Sequence, residues 1–187
     1  MVLKLSENMT ETNNNIATIL LVSGELDKAI VALEIACAMA AMGKQVNMWF
    51  IIYGINIIKK PVSMFSIKRW MLSKIKSAGR TPETDIALQR IIKVLNHNGA
   101  DAVPLSQLNY FGLGPRMLRF VMKKKGSPSV QKLLAEASDL GVIFKICQPC
   151  IDVLALDVQN DLLVKAEVSG VSTYVMDTTI SYYNAVF

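Results

Sequence analysis

The sequence predicts an α/β domain built on a mostly parallel sheet, with a basic helical insertion in the middle of the chain. Two observations carry this. A strand, a helix and a second strand follow one another through short connections near the start, which is a βαβ unit whose right-handed crossover makes the strands parallel. The same alternation resumes near residue 127 after a stretch of different periodicity and charge.

The elements follow in order. "IATILLVSG" (Ile16 to Gly24) is a short, β-branched apolar run closed by Ser-Gly and reads as a buried parallel strand entering a turn. "ELDKAIVALEIACAMAAMG" has few charges and ends at Gly43, as a helix packed on a sheet would. "VNMWFIIYG" (Val46 to Gly54) is the second buried strand. Ser63 to Ala78 then carries apolar residues at Met64, Ile67, Met71, Ile75 and Ala78, with Lys68, Lys74 and Lys76 elsewhere: an amphipathic basic helix containing Trp70. A second inserted helix starts at Thr81-Pro82 and stops at "NHNG", and "LSQLNYFGLGP" (Leu105 to Pro115) is a glycine-containing loop before a short basic helix, "RMLRFVMKKK". "SPSVQKLLAEASDLG" begins with a Ser cap and a Pro at the first helical position. "VIFKIC" (Val142 to Cys147) is the third strand, "PCIDVLALD" opens a short helix, and the tail supplies a helix near Val171 to Tyr183 and a strand at Asn184 to Phe187.

With 187 residues and 52% hydrophobic content the chain suits one domain with a sizeable core. Residues 1–15 read as a polar, disordered tail and 16–187 as the domain, with the basic insertion at about 59–125. Between Lys59 and Lys125 there are 14 Lys and Arg against three acids, while the rest carries 6 against 12. A basic block in an acidic frame suits an acidic partner protein or an anionic membrane surface; no nucleic-acid motif accompanies it. The longest uncharged stretches fall short of the ~20 residues a spanning helix needs, and no signal peptide is evident, so the expected compartment is the cytoplasm.

Cys147 and Cys150, in "KICQPCID", are the residues best placed for chemistry. In parallel sheets ligands collect outside the carboxyl ends of the strands, where Ser23-Gly24, Tyr53-Gly54 and Cys147 converge. A thiol just before a helix N-terminus feels the positive end of the dipole, which favours a low-pKa thiolate. Cys150 follows within one turn, so the pair reads as a candidate dithiol couple, Cys150 being the candidate resolving thiol, or as two core cysteines. Ser23, Gly24, Tyr53 and Gln148 are candidate anion or substrate contacts; Cys37, in an apolar helix, reads as core, and His97 as a loop residue. No metal site and no cofactor are expected, because neither Cys37 nor His97 completes a ligand spacing and no dinucleotide or phosphate-loop pattern is present.

The strand ends and the cysteine turn, "ATILLVSGELDKAIVALEIACAMAAMGKQVNMWFIIYGINIIKKP" and "SVQKLLAEASDLGVIFKICQPCIDVLALDVQNDLLVKAEVSGVSTYVMDTTISYYNAVF", together with "VPLSQLNYFGLGPRMLRFVMKKKGSPS", resemble the DsrE/DsrF-like family, in particular its long, peroxiredoxin-family-like sulfur-handling branch, over nearly everything from Ile16 to Phe187. The resemblance implies a flavodoxin-like three-layer fold, assembly into trimers or hexamers, and a role in sulfur relay. Cys147 matches the cysteine on which such proteins carry a persulfide or thiosulfonate, which makes a sulfurtransferase activity the expectation. The branch's turn has Met and Ser after that cysteine; here Pro149 and Cys150 take their place, and its Met/Gly-rich loop survives only as Gly112 and Gly114. Beside the sulfur carrier stand a dithiol oxidoreductase using Cys147 and Cys150, and a non-enzymatic oligomeric module that docks through its basic insertion, Trp70 and the lysines of Ser63 to Ala78 facing a membrane or an acidic protein.

Overall fold

A computed structural model describes residues 15–60, 88–89, 91–92, 99–100 and 102–187. The N-terminal tail, the Ser63 to Ala78 helix with Trp70, and most of the helix that starts at Thr81 lie outside the described residues. The first strand, β1, is Ile16–Leu21. Helix α1 is Leu26–Ala41, followed by β2 at Gln45–Phe50. A 3-10 segment, Ile52–Ile57, comes next. The sequence extended β2 to Gly54; the strand stops at Phe50 because Ile52 takes a positive φ of 47° and turns the chain. A 3-10 turn at Tyr110–Gly112 leads into α2, Leu113–Lys125. Helix α3 is Val130–Asp139, β3 Ile143–Cys147 and α4 Gln148–Leu154. The chain closes with β4 at Glu167–Ser169, α5 at Val171–Ile180 and β5 at Tyr183–Val186.

The five strands form one sheet in the order β4-β3-β2-β1-β5, every pairing parallel. Pairing register decides the two faces. Ala17, Ile19 and Leu21 sit beside Val46, Met48 and Phe50, and Met48 and Phe50 beside Phe144 and Ile146. This face carries the main core, closed by Leu33, Ala36 and Cys37 of α1 and Leu133, Leu134 and Ala137 of α3. The alternate residues, Thr18, Leu20, Asn47, Trp49 and Lys145, point to the opposite face and are just as buried. Strands buried on both faces are expected of a parallel sheet covered on both sides.

Helix α5 covers this second face by polar as well as apolar contact. Asp177 accepts from Trp49 Nε1 at 2.9 Å and from Lys145 Nζ at 2.7 Å, all three residues being buried. The Trp49 ring also meets Tyr174 edge-on at 5.5 Å, and the Lys145 ammonium lies over it at 5.6 Å. The layers are therefore helix, sheet, helix.

Three local corrections have physical causes. The cap of α3 is Ser129, whose hydroxyl accepts the Lys132 N–H at 3.3 Å, so Pro128 precedes the helix instead of opening it. Helix α2 begins at Leu113, three residues before the predicted start, because Gly112 supplies a left-handed turn at its head. Strand β4 was absent from the sequence reading: it is three residues long and pairs only at the sheet edge. The Ala100 N–H donates to the Lys59 carbonyl at 3.1 Å.

Candidate functional site

Parallel strands deliver their carboxyl ends to one edge, and three turns meet there. The turn after β1 and the turn after β2 touch backbone to backbone. The Gly54 N–H donates to the Val22 carbonyl at 2.9 Å, and a Cβ on Gly24 would stand 2.6 Å from the Tyr53 carbonyl oxygen. A Cβ on Gly54 would lie 2.1 Å from the Leu21 oxygen, so neither position accommodates a side chain without movement. The third turn is the junction of β3 and α4. Cys147 is the last residue of β3 and the N-cap of α4, with Gln148 and Pro149 opening the helix and Cys150 third in it. The N–H of Ile52 donates to the Cys150 sulfur at 3.3 Å, which ties the second turn to the third.

Both thiols are free and each is only 5% exposed. The sequence expected helix-dipole activation of Cys147, and here the structure reverses the expectation. Burial, then the adjacent Cys150 thiol, push the Cys147 thiol above its ordinary value near 9.0; the Cys150 backbone N–H pulls the other way and is outweighed. The sulfur makes no capping hydrogen bond, and α4 has only seven residues, so little dipole acts on it.

The remaining candidates divide. Gly24 and Tyr53 are brought together by the backbone contact, and the exposed Tyr53 side chain borders this edge. The Ser23 hydroxyl is used internally, donating to Glu25 Oε2 at 2.6 Å. Gln148 Nε2 lies 3.5 Å from each carboxylate oxygen of Asp152, one helical turn on. Gln89, from the insertion, donates to the Asp152 carbonyl at 3.1 Å and so reaches the same helix. Cys37 faces α3, its thiol 3.7 Å from the Leu133 carbonyl, as a core residue. Among the described residues no three His, Cys, Asp or Glu side chains are grouped as metal ligands; His97 lies outside them.

A family model described as the DsrE/DsrF/DrsH-like family matches residues 13–185. The chain belongs to the DsrE/DsrF/DrsH-like family. This DsrE/DsrF/DrsH-like chain is 30% identical over 169 residues to the uncharacterized protein YrkE of Bacillus subtilis (strain 168), covering 90% of this chain and 94% of that protein. Among solved structures it is similar to the ychN protein from E. coli, at 10% identity, 93% coverage of this chain, 99% of that one, and a TM-score of 0.48.

Two features of this DsrE/DsrF/DrsH-like chain escaped the sequence reading. The Trp49–Lys145–Asp177 cluster had one signal, a lysine inside an otherwise apolar strand, but its partners lie 96 and 32 positions away along the chain. A cavity of about 440 Å³ at the N-termini of α1 and α3, walled by Leu26, Arg119, Lys123, Ser129 and Val130, had none, and it includes neither site cysteine. No helix among the described residues is long and apolar enough to cross a membrane.

Proposed function

We propose that this protein is a sulfur carrier with sulfurtransferase-like chemistry in which Cys147 takes up a sulfane sulfur and passes it to a partner thiol. The observation that carries the reading is the placement of Cys147 at the carboxyl end of a central strand and the head of a helix, in a chain of the DsrE/DsrF/DrsH-like family. The Cys147 thiolate attacks the outer sulfur of a polysulfide, the donor's sulfur–sulfur bond breaks, and the donor departs with the electron pair; a partner thiolate then attacks the outer sulfur of the persulfide and restores Cys147. With tetrathionate the thiolate attacks one of the two central sulfurs, the central sulfur–sulfur bond breaks, thiosulfate departs with the electron pair, and Cys147 carries the thiosulfonate adduct. Its 5% exposure favours small inorganic donors over bulky ones.

The test is intact-protein mass spectrometry after exposure to polysulfide, thiosulfate or tetrathionate. A sulfur adduct on the wild type that disappears in Cys147→Ser supports the proposal; no adduct, or the same adduct on Cys147→Ser, overturns it.

A second reading, a dithiol couple, is favoured by one observation: Cys150 lies in the same helical turn as Cys147 and interacts with its thiol. It requires a reversible intramolecular disulfide, with both thiols giving up one electron and one proton to a disulfide oxidant. Loss of two hydrogens in the wild type but not in Cys150→Ser, under an oxidant that leaves no sulfur adduct, separates it from the carrier.

The assembly belongs to the same proposal. Helix α5 covers the sheet with Asp177 while Val171, Val175, Met176 and Ile180 are exposed on it, and the carrier is proposed to form a trimer or hexamer through that surface in the cytoplasm.

A further inference from the structure

Helix α2 has apolar residues on two adjoining sides. Its inner side, Gly114, Pro115 and Leu118, packs on the domain. At 100° per residue, Leu113, Met117, Phe120 and Val121 fall within an arc of about 100° next to that inner side, and all four are exposed. Among the described residues nothing covers this outer stripe. Arg116 and Lys123 flank it on one side and Lys125 on the other, Lys124 lies along it, and the helix contains no acid.

The loop that precedes the helix extends the stripe at an energetic cost. Leu108 and Phe111 adopt φ of 58° and 47°, in the left-handed region that bulky side chains avoid. Both side chains are exposed, Phe111 completely. Glycine makes such turns without strain, as Gly112 does beside Phe111 at φ 76°. The loop is also held down: a Cβ on Gly114 would sit 1.9 Å from the Leu108 carbonyl oxygen, so the backbone of the loop rests directly on the start of α2. Strain that presents apolar side chains to solvent on a fixed backbone marks a surface made for contact.

We propose that this surface, Leu108, Phe111, Leu113, Met117, Phe120 and Val121 with its basic border, docks the protein on an anionic phospholipid bilayer. Charge complementarity selects the occupant. An apolar stripe with cations along both edges and no acid matches the order of a bilayer interface, acyl chains beneath a negative headgroup layer, and the long Lys and Arg side chains reach that layer while the stripe is immersed. The sequence places a membrane contact on the helix with Trp70, which lies outside the described residues; this proposal rests on α2 and its loop alone. The inference is independent of any chemistry at Cys147.

The experiment is vesicle sedimentation of the full chain with phosphatidylcholine alone and with mixed phosphatidylcholine and phosphatidylglycerol. The wild type is expected to pellet with the mixed vesicles only, and less so as salt rises. Phe111→Ser/Phe120→Ser and, separately, Lys123→Glu/Lys124→Glu are each expected to weaken partitioning about tenfold or more, with circular dichroism unchanged because these side chains are exposed. Failure of the wild type to bind anionic vesicles overturns the proposal. So does binding that survives both double variants but is lost in Lys68→Glu/Lys74→Glu, which would put the contact elsewhere. Loss of self-association rather than vesicle binding in the Phe variant, read by gel filtration, would make the occupant a second copy and overturn it as well.

Discussion

Cys147 and Cys150 are equally buried, yet the backbone gives them unequal surroundings: Cys147 is the N-cap of α4, and Cys150 receives the Ile52 N–H. Desolvation disfavours the charged thiolate in any apolar site, and a neighbouring thiol adds to it. The thiolate absorbance assigned to Cys147, by difference between wild type and Cys147→Ser, is therefore expected to rise only above about pH 9. In Cys150→Ser two of the raising influences are gone while burial persists, so the transition moves down toward 9.0 without reaching the range of an activated thiol. A Cys147 transition below 9 in the wild type would refute this account and restore helix-dipole activation. The position of the thiol was legible in the sequence, because an apolar run ending in Cys-Gln-Pro marks a strand passing into a helix. Its ionisation was not, because that depends on how deeply the folded domain buries the thiol beside Cys150.

At the scale of elements, the site depends on how closely the turns after β1 and β2 approach. Gly54 is held against the Leu21 carbonyl in space that a methyl group cannot share. Gly54→Ala is expected to destabilise the fold by ~1–3 kcal/mol, the usual cost of forcing an atom into a packed interior, and to loosen the Ile52 contact on Cys150. Chemical denaturation gives the first quantity, and the rate of Cys150 alkylation in a Cys37→Ser/Cys147→Ser background gives the second. Unchanged stability and unchanged alkylation would show that the turns move freely past each other. Most elements were readable because period and punctuation agree: Gly43 and Gly141 close helices at φ of 78° and 83°, and β1 to β3 are short, mostly apolar runs. β4 was not, since Glu-Val-Ser at an edge has neither length nor pattern. The early end of β2 was hidden for the opposite reason, since "FIIYG" continues to look like a strand while Ile52 turns.

For the whole molecule, the strand order sends α1 and α3 to one face and α5 to the other, and the second face is held through a buried ion pair. No periodicity in the sequence shows this, because Trp49, Lys145 and Asp177 meet only once β1, β2 and β3 are side by side. Removing one member of a buried pair leaves the other charge without compensation, so Asp177→Ala is expected to cost ~3–5 kcal/mol in chemical denaturation. Lys145→Met with Asp177→Leu removes both charges and should recover most of that loss; equal destabilisation by single and double changes would mean that the pair's charge is irrelevant. The outward side of the same helix sets the last expectation. Val171, Val175 and Met176 are each more than half exposed on an element whose inner side is already anchored. Their burial against further copies would remove apolar area at about 25 cal/mol per Å². Sedimentation velocity is expected to show an oligomer for the wild type, and Val175→Lys/Met176→Lys to reduce it to the monomer with its thermal unfolding cooperative, because these side chains face away from the Asp177 cluster. A wild-type chain that sediments as a monomer at micromolar concentration, or a double variant that assembles as before, would rule out α5 as the assembly surface.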